Sequence, residues 1–139
     1  VYPMNQLPSL RKRQRSYVCL IVNTDDSSLP GKHWLAIYVN KARKRAEVFD
    51  SYGRPPPLEI QKWLNQHHFK WIYNRQLLQG PLSTLCGAYC VFYLDRRCLL
   101  FDANVSAMSD IIQREFTNRW TRNDAMIRKF MLTQFRKRL

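Results

Sequence analysis

A strongly apolar segment in the second half of the chain constrains the fold most. Residues 86–100 read CGAYCVFYLDRRCLL, which is long enough for a helix, and the central AYCVFYL is apolar on most helical faces. Such a helix is buried, so the rest of the chain must enclose it. The preceding QGPLSTL, residues 79–85, is polar and interrupted by Gly-Pro, so the helix is predicted to begin at Cys86.

Three upstream segments have the composition of β-strands. YVCLIVN, HWLAIYV and AEVFD, at residues 17–23, 33–39 and 46–50, are rich in β-branched and aromatic residues. A Pro-Gly turn separates the first two, and the basic stretch KARKR, residues 41–45, separates the second from the third. The spacing predicts an antiparallel meander with a charged tip.

The remaining segments predict helices and one short strand. Pro57 suits the first turn of a helix that ends near His67, and FKWIY, residues 69–73, is a candidate strand. Two amphipathic helices are expected at about residues 106–116 and 121–138. These elements predict the α+β class: a small, mostly antiparallel sheet packed on a buried central helix.

Length and composition indicate one globular domain. The chain has 139 residues, of which 45% are hydrophobic and 13% aromatic, enough to form a core. We expect a single domain over residues 1–139, and because the chain begins at Val1 without methionine we expect residues upstream of it. No apolar run approaches the ~20 residues that span a bilayer, so we expect no membrane association. We also expect a monomer.

The net charge of +13 predicts an anionic partner, of which nucleic acid is the commonest. Basic residues cluster in RKRQR, in KARKR and in the final predicted helix. Candidate phosphate contacts are the basic side chains of the first two clusters: Arg11, Lys12, Arg13, Arg15, Lys41, Arg43, Lys44 and Arg45. The alternative is a basic surface that only solvates the protein, and no motif for reading bases is visible.

The cysteines favour reduced thiols over disulfides. Cys86, Cys90 and Cys98 fall in one predicted helix, and Cys86 and Cys90 share a face of it. No C-x-x-C pair is present, which weakens a zinc interpretation. With Cys19 the four could form two disulfides in a secreted protein, but free thiols in an intracellular protein fit the crowding better.

Cys86 is a candidate nucleophile because of its predicted place at a helix N-terminus. Unsatisfied N–H groups and the positive end of the helix dipole favour thiolate over thiol and lower a cysteine pKa. Gly87 beside it leaves the sulfur open to approach, and the backbone N–H of Cys86 could face an oxyanion. The alternative is a small, buried cysteine that only packs.

Two polar residues end neighbouring strands of the predicted meander and could assist Cys86. His33 opens the second strand and Asp50 closes the third, so antiparallel pairing brings them together, where a carboxylate can orient an imidazole base. Gln79 supplies uncharged N–H donors for an oxyanion from the loop before Cys86. Each residue taken singly also fits an ordinary surface or turn position.

These residues together resemble the adenovirus-type cysteine proteases, which are distantly similar to SUMO-specific proteases. CLIVNT followed by GKHWLAIYV resembles that family's strand, turn and His-Trp strand, and His33 precedes Asp50 by 17 residues, similar to the family's gap. QGPLSTLCG resembles the family's segment in which glutamine and cysteine are seven apart. The resemblance covers roughly residues 17–94 and implies a papain-like architecture.

The resemblance also implies roles for the residues. Cys86 is expected to be the nucleophile, His33 the general base and then acid, and Asp50 the orienting carboxylate. Gln79 and the Cys86 N–H are expected to form the oxyanion hole. The implied chemistry is hydrolysis of peptide bonds in viral structural precursors, beside glycine or other small residues, with no metal or other required cofactor. The implied location is the host nucleus or the virion.

Two departures from the adenoviral pattern modify these expectations. The segment from Asp50 to Gln79 has no cysteine, so an activating peptide would not attach there by a disulfide. The chain is also shorter than the adenoviral enzymes. Both indicate a related virus or a Maverick/Polinton-type DNA transposon as the source. DNA as an activator carries over from the family and agrees with the basic charge.

Three alternatives remain open from the sequence. The same residues would serve a protease for SUMO or ubiquitin-like tails. A nucleic-acid-binding module with a structural Cys86 would explain the charge without catalysis. A zinc module formed by His33, Cys86 and Cys90 is the weakest of the three.

Overall fold

A computed structural model of the chain describes residues 1–10, 15–25, 33–100 and 107–138, and these residues form a five-stranded sheet with helices on both faces. The strands are β1 (Tyr2–Pro3), β2 (Tyr17–Asn23), β3 (Trp34–Asn40), β4 (Arg45–Phe49) and β5 (Lys70–Tyr73). The helices are α1 (Leu58–Gln66), α2 (Cys86–Leu99), α3 (Ala107–Glu115) and α4 (Trp120–Arg136). The predicted α+β class is confirmed.

The sheet has the strand order β1-β2-β3-β4-β5. Its centre is the predicted antiparallel meander, in which β3 pairs with β2 and with β4. The two outer pairings, β1 with β2 and β4 with β5, are parallel, which the sequence did not predict. The β4–β5 pairing is parallel because α1 crosses between the two strands.

Strand β3 is buried on both faces because helices cover the sheet on each side. Leu35 and Ile37 lie in a cluster with the apolar side of α1. Ala36, which points the other way, lies in a second cluster with Tyr89 and Tyr93 of α2. Helices α3 and α4 add further apolar side chains to this second cluster, so α2 is the buried central helix that its composition predicts.

A buried ion pair joins α2 to the sheet. Arg97 of α2 donates from Nε to Glu47 Oε2 of β4 at 2.7 Å, and both side chains are at most 5% exposed. Tyr93 donates its hydroxyl to the same oxygen at 2.8 Å, and the Arg97 guanidinium lies 3.9 Å from the ring centroid of Tyr38. Packing and one charged contact therefore fix α2, and with it Cys86, relative to β3 and β4.

The helices agree with the sequence within a few residues. Helix α2 begins at Cys86, as predicted, and Pro57 is the residue that precedes α1. Across the four described stretches of chain, no helix is both long and apolar enough to cross a bilayer.

Candidate active site

His33 and Asp50 meet at one edge of the sheet. His33 directly precedes β3 and Asp50 directly follows β4, and the antiparallel register pairs Ala36 with Phe49. The two side chains are hydrogen bonded, with His33 Nε2 2.8 Å from Asp50 Oδ1. The proximity expected from the strand order is therefore present.

Asp50 is held in place from two sides. The backbone N–H of Tyr52 donates to Asp50 Oδ1 at 2.7 Å, which fixes the carboxylate. Asn74 accepts from the backbone N–H of Asp50 at 2.8 Å and donates from Nδ2 to the Asp50 carbonyl oxygen. Sequence reasoning missed Asn74. Its position one residue after β5 would have indicated it, had the parallel pairing of β4 and β5 been foreseen.

Cys86 and His33 perturb each other's pKa in the directions that favour an ion pair. Burial opposes the charged form of Cys86, but the His33 imidazole and the backbone amides of Trp34 and Gly87 outweigh it and lower the Cys86 pKa. Burial likewise opposes the charged form of His33, but Asp50 and Cys86 outweigh it and raise the His33 pKa to about 9. Both shifts favour the thiolate–imidazolium form of the pair.

The His33 imidazole is oriented with one ring nitrogen toward Asp50 and the other left for the thiol. Nε2 is occupied by Asp50, which leaves Nδ1 as the nitrogen that can serve the thiol. Nδ1 is buried, and within the described part of the chain no partner lies at conventional hydrogen-bond geometry. Among the described residues, none therefore competes with the thiol for Nδ1.

A second cysteine on the same helix shows that burial alone does not explain Cys86. Cys90, one turn further along α2, is fully buried, and its pKa is raised well above the ordinary value by burial. Cys86 is 8% exposed, yet its pKa is shifted the other way. The interpretation of Cys86 as a cysteine that only packs does not account for this contrast.

Gln79 is buried, and both the nitrogen and the oxygen of its side-chain amide are hydrogen bonded. It is therefore not a turn glutamine exposed to solvent. Its Nε2 donates to the Ser83 carbonyl oxygen at 2.8 Å and its Oε1 accepts from the Ser51 hydroxyl at 2.5 Å. An amide nitrogen carries two hydrogens, so one N–H remains for another acceptor. The approach of this N–H and of the Cys86 N–H to a common oxyanion stays a prediction.

The loop that carries Gln79 packs tightly against the start of α4. A Cβ atom on Gly80 would lie 2.6 Å from Trp120 Cε3 and 2.7 Å from Asp124 Oδ2, so any larger residue would force both side chains to move. The Leu78 carbonyl oxygen accepts from Asn123 Nδ2 at 3.0 Å. Helix α4 thus fixes the backbone on both sides of Gln79, a contact that the sequence did not reveal.

Tyr52 is a further residue at the site that sequence reasoning missed. Its ring centroid lies 4.9 Å from that of His33, and its hydroxyl donates to the Ser83 carbonyl oxygen at 3.4 Å. Burial is the main cause that raises the Tyr52 pKa. The side chain therefore spans from the imidazole to the loop that carries Gln79.

Cys19 and Cys98 lie outside this arrangement, whereas the zinc hypothesis names His33 and Cys86, which are part of it. Cys19 and Cys98 are exposed free thiols with sulfurs 4.0 Å apart. Within residues 1–10, 15–25, 33–100 and 107–138, no group of three or more His, Cys, Asp or Glu side chains is placed to hold a metal ion. The zinc hypothesis therefore lacks a ligand set there.

The basic residues proposed for DNA lie away from the thiol. Arg43, Lys44 and Arg45 are exposed at the tip between β3 and β4, the end opposite to His33 and Asp50. Lys41 begins this tip, and Arg15 is exposed just before β2. The remaining candidates, Arg11, Lys12 and Arg13, lie outside the described residues. Contact of these residues with DNA stays a prediction.

Sequence comparison with known proteins identifies relatives of the chain. A cysteine protease of African swine fever virus is 32% identical over 88 residues, covering 55% of this chain and 32% of the viral protein. The protease of Porcine adenovirus A serotype 3 is 30% identical over 100 residues, covering 61% of this chain and 48% of the relative. The chain thus spans about a third to a half of these relatives.

Structure comparison and the family profile agree with these relatives. A crystal structure of the African swine fever virus protease superimposes with a TM-score of 0.52 at 26% identity, covering 84% of this chain and 42% of the other. This similarity confirms the papain-like fold predicted from sequence. The profile of the Ulp1 protease family, C-terminal catalytic domain, matches residues 12–137. The chain therefore belongs to the Ulp1 protease family.

Proposed function

We propose that the chain is a cysteine peptidase in which Cys86 is the nucleophile, His33 the general base and acid, and Asp50 the group that orients His33. The observation that carries this proposal is the hydrogen bond of His33 to Asp50 beside a thiol whose pKa His33 lowers. A nucleophile, its base and an orienting carboxylate in this order are what thiol-dependent acyl transfer requires.

In the proposed acylation step the Cys86 thiolate attacks a peptide carbonyl carbon. The new S–C bond forms as the carbonyl π electrons move to oxygen, giving a tetrahedral oxyanion. When the C=O bond re-forms, the C–N bond breaks and the imidazolium of His33 gives its proton to the leaving amine. The products are a free amine, a thioester on Cys86 and a neutral imidazole.

Deacylation reverses the role of His33. The neutral imidazole removes a proton from water as the water oxygen attacks the thioester carbon. Collapse of the second oxyanion breaks the C–S bond and releases a carboxylic acid and the Cys86 thiolate. His33 is then protonated again, so the ion pair that began the cycle is restored.

Gln79 and the backbone N–H of Cys86 are proposed to stabilise both oxyanions. One Gln79 N–H is not used by Ser83, and the Cys86 N–H belongs to the first turn of α2, where backbone donors have no helical partner. Each hydrogen-bond donor that is in place before the charge develops raises kcat by about 10²–10³-fold.

For substrates, we favour precursor proteins of a virus or virus-like element, cleaved beside glycine or another small residue. Three relatives named as proteases come from adenoviruses, which favours a viral substrate. A Cβ atom added at Gly87 would meet no atom within 4 Å, so there is open space next to the nucleophile for a substrate backbone.

Cleavage of ubiquitin-like tails is the second candidate function. It is favoured by a relative named SUMO-1 cysteine protease from African swine fever virus, 31% identical over 88 residues and covering 55% of this chain and 32% of that protein. The two candidates share the same catalytic residues and differ only in what occupies the cleft.

A substrate panel separates these candidates. Peptides with an internal glycine from viral precursors are compared with SUMO- and ubiquitin-derived tails, each with the Cys86→Ala variant as the background control. We expect the wild-type chain to cleave the precursor peptides preferentially. Preference for the ubiquitin-like tails would favour the second candidate, and cleavage of neither would contradict both.

Activation by DNA, action as a monomer and a location in the host nucleus or virion complete the proposal. The support for DNA is the charge of +13 and the exposed basic tip. Strand β3 has 7 residues, so this tip lies roughly 20 Å from His33, and bound DNA would act at a distance. The panel repeated with duplex DNA at low and high salt tests this part, because phosphate contacts weaken as salt rises.

A further inference from the structure

Ser51 contacts the Gln79 loop through both its side chain and its backbone. Its hydroxyl lies 2.5 Å from Gln79 Oε1, and its carbonyl oxygen accepts from the backbone N–H groups of Leu78 and Gln79 at 2.8 and 3.1 Å. Ser51 and Gln79 are both 0% exposed, so water does not compete for these groups. Ser51 is also the residue next to Asp50, which binds His33.

The chemistry of the neighbours fixes which way the Gln79 amide faces. The Ser83 carbonyl oxygen can only accept, so the amide atom next to it must be the donor Nε2. The opposite atom, Oε1, can only accept, so the Ser51 hydroxyl must donate to it. Without that hydroxyl, Oε1 would be a buried acceptor with no donor. The free-energy cost of this unpaired acceptor would favour rotation of the Gln79 amide.

We propose that Ser51 is a positioning residue for the oxyanion site, acting through Gln79. Its hydroxyl holds the amide so that the second Nε2–H stays available to the substrate oxygen, and it polarises the amide toward stronger donation. Asp50 and Ser51 are consecutive, so the segment that directly follows β4 sets the orientation of both the base and the oxyanion donor. This inference rests on the function proposed above.

The rest of the Gln79 loop does not depend on the Ser51 hydroxyl. The Leu78 carbonyl oxygen accepts from Asn123 Nδ2, and the Gly80 N–H donates to Asp124, which also accepts from the Tyr89 hydroxyl at 2.7 Å. The backbone bonds from the Ser51 carbonyl would also remain in a Ser51→Ala variant. We therefore expect that variant to fold, with only the Gln79 side chain released.

The test is a double-mutant cycle of Ser51→Ala and Gln79→Ala, measured on a peptide that the wild-type chain cleaves. We expect Ser51→Ala to lower kcat by about 10-fold with KM changed less than about 2-fold, because only the transition state is affected. Gln79→Ala should lower kcat by about 10²–10³-fold. The double variant should be no slower than Gln79→Ala alone, since Ser51 then has nothing to position.

Two further measurements separate this role from a structural one and from failure of the proposed function. The pH dependence of Cys86 alkylation should be unchanged in Ser51→Ala, because alkylation develops no oxyanion. Ser109→Ala, which removes an exposed hydroxyl on α3, should cleave at the wild-type rate. If the two single losses in kcat multiplied in the double variant, or if the alkylation profile changed in Ser51→Ala, the proposed role of Ser51 would be overturned. The proposed function of the chain would be unaffected. A wild-type chain that cleaves no peptide would overturn the proposed function and this role with it.

Discussion

Replacing Cys86 by alanine is expected to lower peptide cleavage by at least about 10⁴-fold while the protein stays folded. The thiolate forms the covalent bond to the substrate, and alanine offers no atom that can replace it. The side chain is small and lies at the first residue of α2, so its loss removes little packing. The measurement is kcat/KM on a cleaved peptide, with the thermal unfolding midpoint recorded for the same sample.

His33→Ala is expected to cause a loss of similar size, because the thiol then has no base and the leaving amine no acid. Two matched controls share the chemistry of the changed residues but lie elsewhere. Cys98→Ser alters an exposed thiol further along α2, and His68→Asn alters an exposed histidine whose φ of 60° asparagine tolerates. Both should cleave normally, and substantial cleavage by folded Cys86→Ala would refute the assignment.

Breaking the buried ion pair between Glu47 and Arg97 is expected to have the largest effect on stability. Arg97→Met leaves the Glu47 carboxylate buried without its cation, at a cost of about 3–5 kcal/mol in the free energy of unfolding. Burial already raises the Glu47 pKa, opposed by Arg97 and by the Tyr93 hydroxyl, so the variant should also take up a proton there more readily. Urea unfolding at neutral and mildly acidic pH measures both effects.

The neighbouring arginine provides the control for that experiment. Arg96 lies beside Arg97 but is 34% exposed, with its Nε 3.5 Å from Glu115, so Arg96→Met should cost about 1 kcal/mol or less. Replacing Glu47 and Arg97 together by methionine should recover at least roughly half of the loss, because no charge is then left unpaired. Equal losses from Arg96→Met and Arg97→Met would contradict the structural role of this pair.

The sequence predicted the elements whose signals are local. Segments rich in β-branched and aromatic residues predicted the three central strands, and the break at Gly80-Pro81 before an apolar run predicted the start of α2 at Cys86. The meeting of His33 and Asp50 followed from one topological assumption, the meander. These features need only local composition, turn chemistry and strand order.

Features that depend on distant partners could not be predicted in this way. Arg97 is one of two consecutive arginines near the end of a helix, and only the fold shows that it is buried against Glu47, 50 positions away in sequence. The parallel pairing of β5, the support of Asp50 by Asn74 and the contact of Ser51 with Gln79 likewise arise from tertiary packing. None of these contacts can be recognised from the periodicity or composition of the sequence.

The pH dependence of Cys86 alkylation tests the thiolate–imidazolium pair most directly, before any substrate is known. Peptide mass spectrometry should resolve the site, in a Cys19→Ser/Cys98→Ser background that removes the exposed thiols. The rate follows the thiolate, so it should rise with pH through an inflection below the ordinary cysteine pKa.

Removing His33 should move this inflection upward, because the group that lowers the Cys86 pKa is gone, and Asp50→Asn should give an intermediate shift by weakening the imidazolium. The two pKa values also bound the cleavage rate, which should fall in acid as the thiolate is protonated and above about pH 9 as His33 loses its proton. An alkylation inflection at the same pH with and without His33 would contradict the pair.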